Sequence, residues 1–300
     1  MFADCCTVLW LRKPHVSSMQ MMSVTVLVDN NTLTDRYFAG EPGISLYIET
    51  GSKKILFDTG YSDLFLKNAM KMKLEMLDLD FVVLSHGHID HTGGLFHLLQ
   101  AAFEARIEGL PYRDPTLITH PFCFYPRRME GSFDIGSPVS RDVWERSFPI
   151  CLSDRPVWLT DDLVFLGEIE RTNGFEYREP MGRLLTPEGE RPDTLVDDSA
   201  LAFRSEDGLV ILTGCSHSGI CNIIEYARKV CGEERVCDVI GGFHLLSPDP
   251  GTLAETCACL QKLAPKAMHP CHCTDLGSKV AISRVAPVHE TGVGLTLKYG

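Results

Sequence analysis

The chain has 300 residues, 44% of them hydrophobic, and a formal net charge of −12. That length supports a substantial core, in one large domain or two intimately packed halves. A groove for a polyanion calls for a basic excess, because phosphate neutralisation dominates nucleic-acid affinity. The acidic balance therefore excludes nucleic acid as the expected partner and leaves a small-molecule substrate.

Within the first 22 residues, the apolar part Cys5 to Leu11 is short and precedes Arg12 and Lys13. That is the wrong order for a secretory signal. No stretch reaches the roughly 18 uninterrupted apolar residues of a membrane span, so no membrane association is expected. Residues 1–22 read as an N-terminal extension, with no order expected of it, and 23–300 as one domain. Next come apolar runs alternating with helical patterns. "VTVLVDN" (24–30), "ISLYIET" (44–50), "KKILFDTG" (53–60) and "LDFVVLSHG" (79–87) read as strands. Between the last two, "SDLFLKNAMKMKLEML" predicts a helix capped by Ser62 and Asp63. Another helix is expected from Thr92-Gly93-Gly94 through "LFHLLQAAFEA".

The middle, about 104–193, is rich in Gly, Pro and charge and predicts long loops covering a polar edge. Arg127, Arg128 and Arg171 fall there, where they could pair with a substrate phosphate or carboxylate. So do the aromatics Phe122, Phe124, Tyr125, Phe175 and Tyr177, which could stack on a flat substrate.

The second half replays the order. "SALAFRSEDGLVILTGCSH" predicts two strands and a turn, "GICNIIEYARKV" a helix, and "VCDVIGGFHL" a strand. "TLAETCACLQKLA" and "KAMHPCHCTD" follow as helix and strand. Asp58 precedes His86 by 28 residues and Cys215 precedes His244 by 29. Each half thus returns polar side chains to one sheet edge, where α/β architecture places ligands. Two facing halves would make a four-layer αββα sandwich. Pairs such as Cys5-Cys6, Cys257/Cys259 and Cys271/Cys273 are too close for easy bridging within the pair, so the 12 cysteines are expected as reduced thiols in a cytoplasmic protein.

After the strand at 79–87, His86, His88, Asp90 and His91 form H-x-H-x-D-H. Imidazole and carboxylate suit zinc, iron or manganese. In an extended segment His86 and His88 point the same way and can share one cation. Asp90 and His91, one step further, can turn to a second.

With "FDTG" one helix upstream, this motif resembles the metallo-β-lactamase-fold hydrolases, from about Val24 onward. "VLVDNNT", "SHGHIDHTGGL", "TGCSHSGI", "IGGFHL" and "PCHCTD" are together similar to the branch described as dihydropterin synthases. The resemblance implies two divalent metal ions, zinc first, then manganese or iron. It implies that Asp58 orients the metal loop, that Cys215 falls at a metal-bridging position, and that His272 is the last ligand. His269, Cys271 and Cys273 could compete for that role, although Cys271 and Cys273 would point away from His272 in an extended segment. His244 falls where nuclease relatives place a histidine near the scissile bond, as a proton donor or a hydrogen-bonding group for phosphate. Asp90 is expected to serve both metal and chemistry. Relatives supply another histidine before the Cys215 strand, but none lies between His120 and His217. His217, Asp197, Asp198 or a distant His120 would have to replace it, and His217 is nearest the right edge.

Three activities follow. The first is hydrolysis of a small, anionic phosphoester, lactone or related substrate by a metal-bound hydroxide. The alternative is a synthase-like transfer joining a pterin pyrophosphate to an aminobenzene-ribosyl phosphate. The third is an iron-dependent redox or sensing role.

Overall fold

The computed structural model describes residues 20–129, 131, 133–176 and 179–300. Residues 1–19 of the expected extension, and Tyr177, lie outside the described residues. The first half runs β1 (Met22–Val28), β2 (Ser45–Thr50), β3 (Lys53–Phe57), α1 (Leu64–Met72), β4 (Phe81–Val83), α2 (Ile89–Thr92), α3 (Leu95–Glu108), β5 (Thr116–Thr119), β6 (Arg127–Arg128), α4 (Arg141–Glu145) and β7 (Ile150–Leu152). Then follow β8 (Val157–Trp158), β9 (Leu163–Phe165), β10 (Arg183–Thr186), β11 (Gly189–Pro192), β12 (Ala200–Ser205), β13 (Gly208–Thr213), α5 (Ile220–Cys231), β14 (Val236–Gly242), α6 (Pro250–Leu263), β15 (Ala267–Cys271), α7 (Leu276–Ile282) and β16 (Thr296–Tyr299).

Two large sheets carry the molecule, in the orders β16-β1-β2-β3-β4-β5-β7 and β15-β14-β13-β12-β9-β8. In the first, β2 pairs antiparallel with β3, which pairs parallel with β4, and β4 pairs parallel with β5. In the second, β12, β13, β14 and β15 repeat that antiparallel, parallel, parallel order.

The alternation in β12 and β13 explains the stacking. Leu201, Phe203, Val210 and Leu212 face the other sheet and join Val24, Leu46, Ile48 and Phe57 in a central core. Ala202, Leu209 and Ile211 face the opposite way, against Ile223 and Ile224 of α5 and Leu260 of α6. A strand covered on both faces has no polar face to show, so it reads as a continuous apolar run. The first sheet does the same, placing Leu56, Val82 and Leu117 against Phe65 of α1 and Leu98 of α3. Each large apolar side chain so buried contributes about 1.5–3 kcal/mol. The result is an αββα sandwich.

Three expectations need correction or refinement. The strand expected over 79–87 stops at Val83, because Ser85 N turns from the ladder to Asp58 Oδ1 at 2.7 Å. The middle is mostly loop, as expected, but also carries short strands. It adds β5 and β7 to one sheet, β8 and β9 to the other, and with β6, β10 and β11 builds a third. Strands of two to four residues are too short for alternation to register. Lastly, nine described cysteines are free, but Cys151 takes part in a disulfide, against the all-thiol expectation. Among the described residues no helix is long and apolar enough to cross a membrane.

Candidate metal centre

The candidate residues leave the carboxyl ends of β3, β4, β13, β14 and β15, the edge where α/β sheets gather ligands. Four non-glycine residues there have left-handed backbone: Asp58 (φ 55°), Ser216 (63°), His244 (50°) and His272 (49°). Each such residue costs on the order of 1–3 kcal/mol, so surrounding bonds must hold it.

Asp58 does much of that holding. Its Oδ1 accepts from Ser85 N, and its Oδ2 accepts from Ser85 Oγ and His91 Nδ1, each at 2.7 Å. A carboxylate only accepts, so His91 carries a proton on Nδ1. Ser85 Oγ, having donated to Asp58, must accept from His86 Nδ1 at 2.9 Å, which leaves His86 Nε2 bare. One buried carboxylate thereby orients two imidazoles. Burial pulls His86 well below 6.5 and keeps it neutral. Burial also lowers His91, but the carboxylates of Asp90 and Asp58 outweigh it and hold its pKa up at about 9. Burial lowers His88 to about 3.

The turn of α2 brings Asp90 and His91 to His272 while His86 and His88 meet His217, so two sets form around the adjacent His86 and His91 rings. The ligand atoms of His86, His88 and His217 lie within 4.8 Å of one another, and so do those of Asp90, His91 and His272. Cys215 meets both sides, grouping with His86 and His91 and placing its Sγ 3.2 Å from His91 Nε2. His86 Nε2 and His88 Nδ1 are 3.1 Å apart, and His272 Nε2 is 3.4 Å from Asp90 Oδ2.

Buried polar atoms normally have partners. Here His88 Nε2, His217 Nε2, His244 Nδ1 and His272 Nε2 have none among the described residues. Four orphaned imidazole nitrogens, gathered beside a carboxylate and a thiol, fit a divalent cation of the zinc, iron or manganese type.

The other candidates separate clearly. Of the replacements for the missing histidine, His217 is the one brought to the cluster. His120 instead accepts from Phe122 N, and Asp197 is engaged by Arg127 and Gly87 N. Asp198 accepts from Ser218 N, with burial raising its pKa to about 6. The ring of His244 lies 4.3 Å from that of His217, at the half-buried mouth.

The arginine expectations are overturned in part. Arg127 is fully buried, paired with Asp193 at 3.0 Å and with Asp197, so it is not free for substrate. Arg171 donates to Thr194 O, Leu195 O and Ser218 Oγ, bracing the loop beside His217. Arg128 is exposed on the small sheet. Of the aromatics, Phe124 and Phe175 pack against core clusters, whereas Phe122 and Tyr125 stack at 5.4 Å with Arg191 over Phe122. Cys273, expected to turn away, instead has its sulfur within 4.8 Å of the ligand atoms of Cys215 and His272. The left-handed turn at His272 breaks the alternation on which that expectation rested.

A sandwich of this topology, with such a cluster at its edge, defines an αββα protein whose sheet edge could hold a metal ion. The family model of the metallo-beta-lactamase superfamily matches residues 40–228, and the chain belongs to that superfamily. It is 30% identical over 268 residues to the 7,8-dihydropterin-6-methyl-4-(β-D-ribofuranosyl)-aminobenzene-5'-phosphate synthase of Methanocaldococcus jannaschii, covering 87% of this chain and 90% of that one. It is also 30% identical to an uncharacterized protein of the same organism, over 74% of this chain and 79% of that one. Among solved structures it is similar to Tm1679, a metal-dependent hydrolase of the beta-lactamase superfamily. That match has a TM-score of 0.75 and 27% identity, and covers 92% of this chain and 98% of that one.

Proposed function

We propose that this chain is a binuclear metal-dependent hydrolase of a small anionic ester, with a phosphoester or lactone as the scissile group. The observation that carries the reading is the pair of ligand sets, His86, His88, His217 and Asp90, His91, His272, joined by Cys215. These residues would hold two divalent cations, zinc first. Bound there, such cations lower the pKa of a coordinated water to near 7 and polarise a phosphoryl or carbonyl oxygen.

The protein supplies the rest. Asp58 fixes the tautomer of His86 directly through Ser85 and holds His91 by its Nδ1 proton. Asp90, drawn well into the ionised range by His91 and His272 despite its burial, adds negative charge between the imidazoles. His244, beside His217 at the mouth, donates a proton or a hydrogen bond to the departing or anionic oxygen.

A second reading keeps the centre and changes the reaction to synthase-like transfer, and the identity to the M. jannaschii synthase favours it. The Phe122–Tyr125 stack would then offer a face to a flat ring. One experiment separates the two. The zinc-loaded protein is given phosphodiester, phosphomonoester and lactone substrates, and separately a pterin pyrophosphate with an aminobenzene-ribosyl phosphate. Turnover of the first group supports hydrolysis. Joining of the second pair with release of pyrophosphate, and no ester cleavage, replaces it with transfer.

A further inference from the structure

Cys273 stands outside both ligand sets, yet its sulfur lies among them. β15 ends at Cys271, whose side chain belongs to the core between the sheets. Strict alternation would turn Cys273 back into that core. The left-handed His272 (φ 49°) prevents it, and two bonds from the end of β1 hold the turn. His272 N donates to Asp29 Oδ1 at 2.7 Å, and its ring Nδ1 meets Asn30 Oδ1 at 2.9 Å.

The turn delivers the sulfur to a prepared place. Cys273 Sγ accepts from His244 N at 3.2 Å and, as a thiol, donates to Cys215 O at 3.4 Å. A Cβ on Gly242 would stand 2.5 Å from that sulfur, so the glycine leaves the space it fills. The His244 N–H favours a thiolate and the Cys215 carbonyl a thiol, so a cation bound here would take the place of the thiol proton. Beside it the buried His272 Nε2 has no hydrogen-bond partner among the described residues, and the ligand atoms of Cys215, His272 and Cys273 fall within 4.8 Å of one another.

We propose that Cys273 is a sulfur ligand of the cation on the His91–His272 side, joining Cys215 as a thiolate pair. Two thiolates favour zinc, cobalt(II) and iron(II) over manganese and magnesium, which prefer oxygen. The inference rests on the cluster being a divalent metal centre, and it deepens that reading by naming the kind of metal the centre selects. The competing role for Cys273 is a small buried thiol that accepts one backbone hydrogen bond and donates another.

The test loads metal-free protein with cobalt(II) and records sulfur-to-cobalt charge transfer in the near ultraviolet, per bound cobalt. Wild type is compared with Cys215→Ser, Cys273→Ser and the double variant. The proposal expects Cys273→Ser to lose about one third to one half of the band, as one of two or three Co–S bonds goes, and the double variant to lose all of it. A Cys273→Ser protein that binds cobalt with wild-type charge-transfer intensity overturns the proposal but leaves the metal reading intact. Wild type that binds no cobalt overturns both. To remove any dependence on a variant's folding, X-ray absorption on zinc-loaded wild type counts sulfur neighbours at about 2.3 Å. More sulfur than one shared cysteine supplies is expected, and only that much overturns the proposal.

Discussion

Oδ2 of Asp58 lies 2.7 Å from Nδ1 of His91, and both residues are fully buried. The same oxygen accepts from Ser85 Oγ, which in turn is bonded to His86. In Asp58→Asn, an amide replaces a carboxylate that meets three donors, so one of its groups must face a donor wrongly. We expect divalent-metal affinity to fall about 10- to 100-fold, the usual effect of losing an orienting carboxylate. Competition against a chromophoric chelator measures it, and unchanged affinity would show that Asp58 serves the fold alone.

Arg127 ties Asp193 and Asp197 together in the interior, and Asp197 Oδ2 also accepts from Gly87 N at 2.9 Å. Burial opposes the guanidinium charge, but the two carboxylates more than restore it. Replacement by methionine keeps bulk and leaves two buried carboxylates uncompensated. Arg127→Met should lose about 3–5 kcal/mol in urea unfolding. Adding Asp197→Asn should recover part of that loss. A single variant as stable as wild type would contradict the pairing.

Gly87 separates the first two histidines of the motif. A Cβ there would stand 2.0 Å from Cys123 O, a backbone atom that cannot swing aside. Gly87→Ala should therefore displace the His86–His88 segment at a cost of about 1–3 kcal/mol. Metal content should drop while far-ultraviolet circular dichroism stays native. Full metal content in the variant would mean that the segment adapts.

His120 gives a pH signature away from the centre. Burial lowers its pKa below 6.5, outweighing the attraction of Asp197 and Glu168. Below 6.5 the unfolded chain takes up the proton more readily than the native one, so stability falls as pH falls. His120→Asn removes that contribution. Between pH 6.5 and 5, the chelator-treated variant should lose stability less steeply than wild type treated alike. Parallel curves would contradict the assignment.

Much of this was legible in the sequence, and the failures have a common cause. Local patterns carried well. The motif from His86 to His91 needs only one strand end and one helical turn to sort its side chains, and the apolar runs of β12 and β13 were readable as two strands and a turn. Features set by distant partners did not carry. Arg127 looked like a loop charge because its partners, Asp193 and Asp197, lie 66 and 70 residues away. Cys273 was misplaced because the left-handed His272 depends on Asp29, 243 residues earlier. His217, whose ring lies 4.8 Å from that of His86, was preferred among several replacements only for its nearness to the edge of the Cys215 strand.

Two cations held by the His86–His88–His217 and Asp90–His91–His272 sets are tested most directly by elemental analysis. Purified wild type, His88→Ala and His272→Ala are dialysed against zinc, freed of excess and measured per chain. Two zinc ions in wild type, with one lost in each variant, are predicted. A folded wild-type protein that retains no metal would contradict the account.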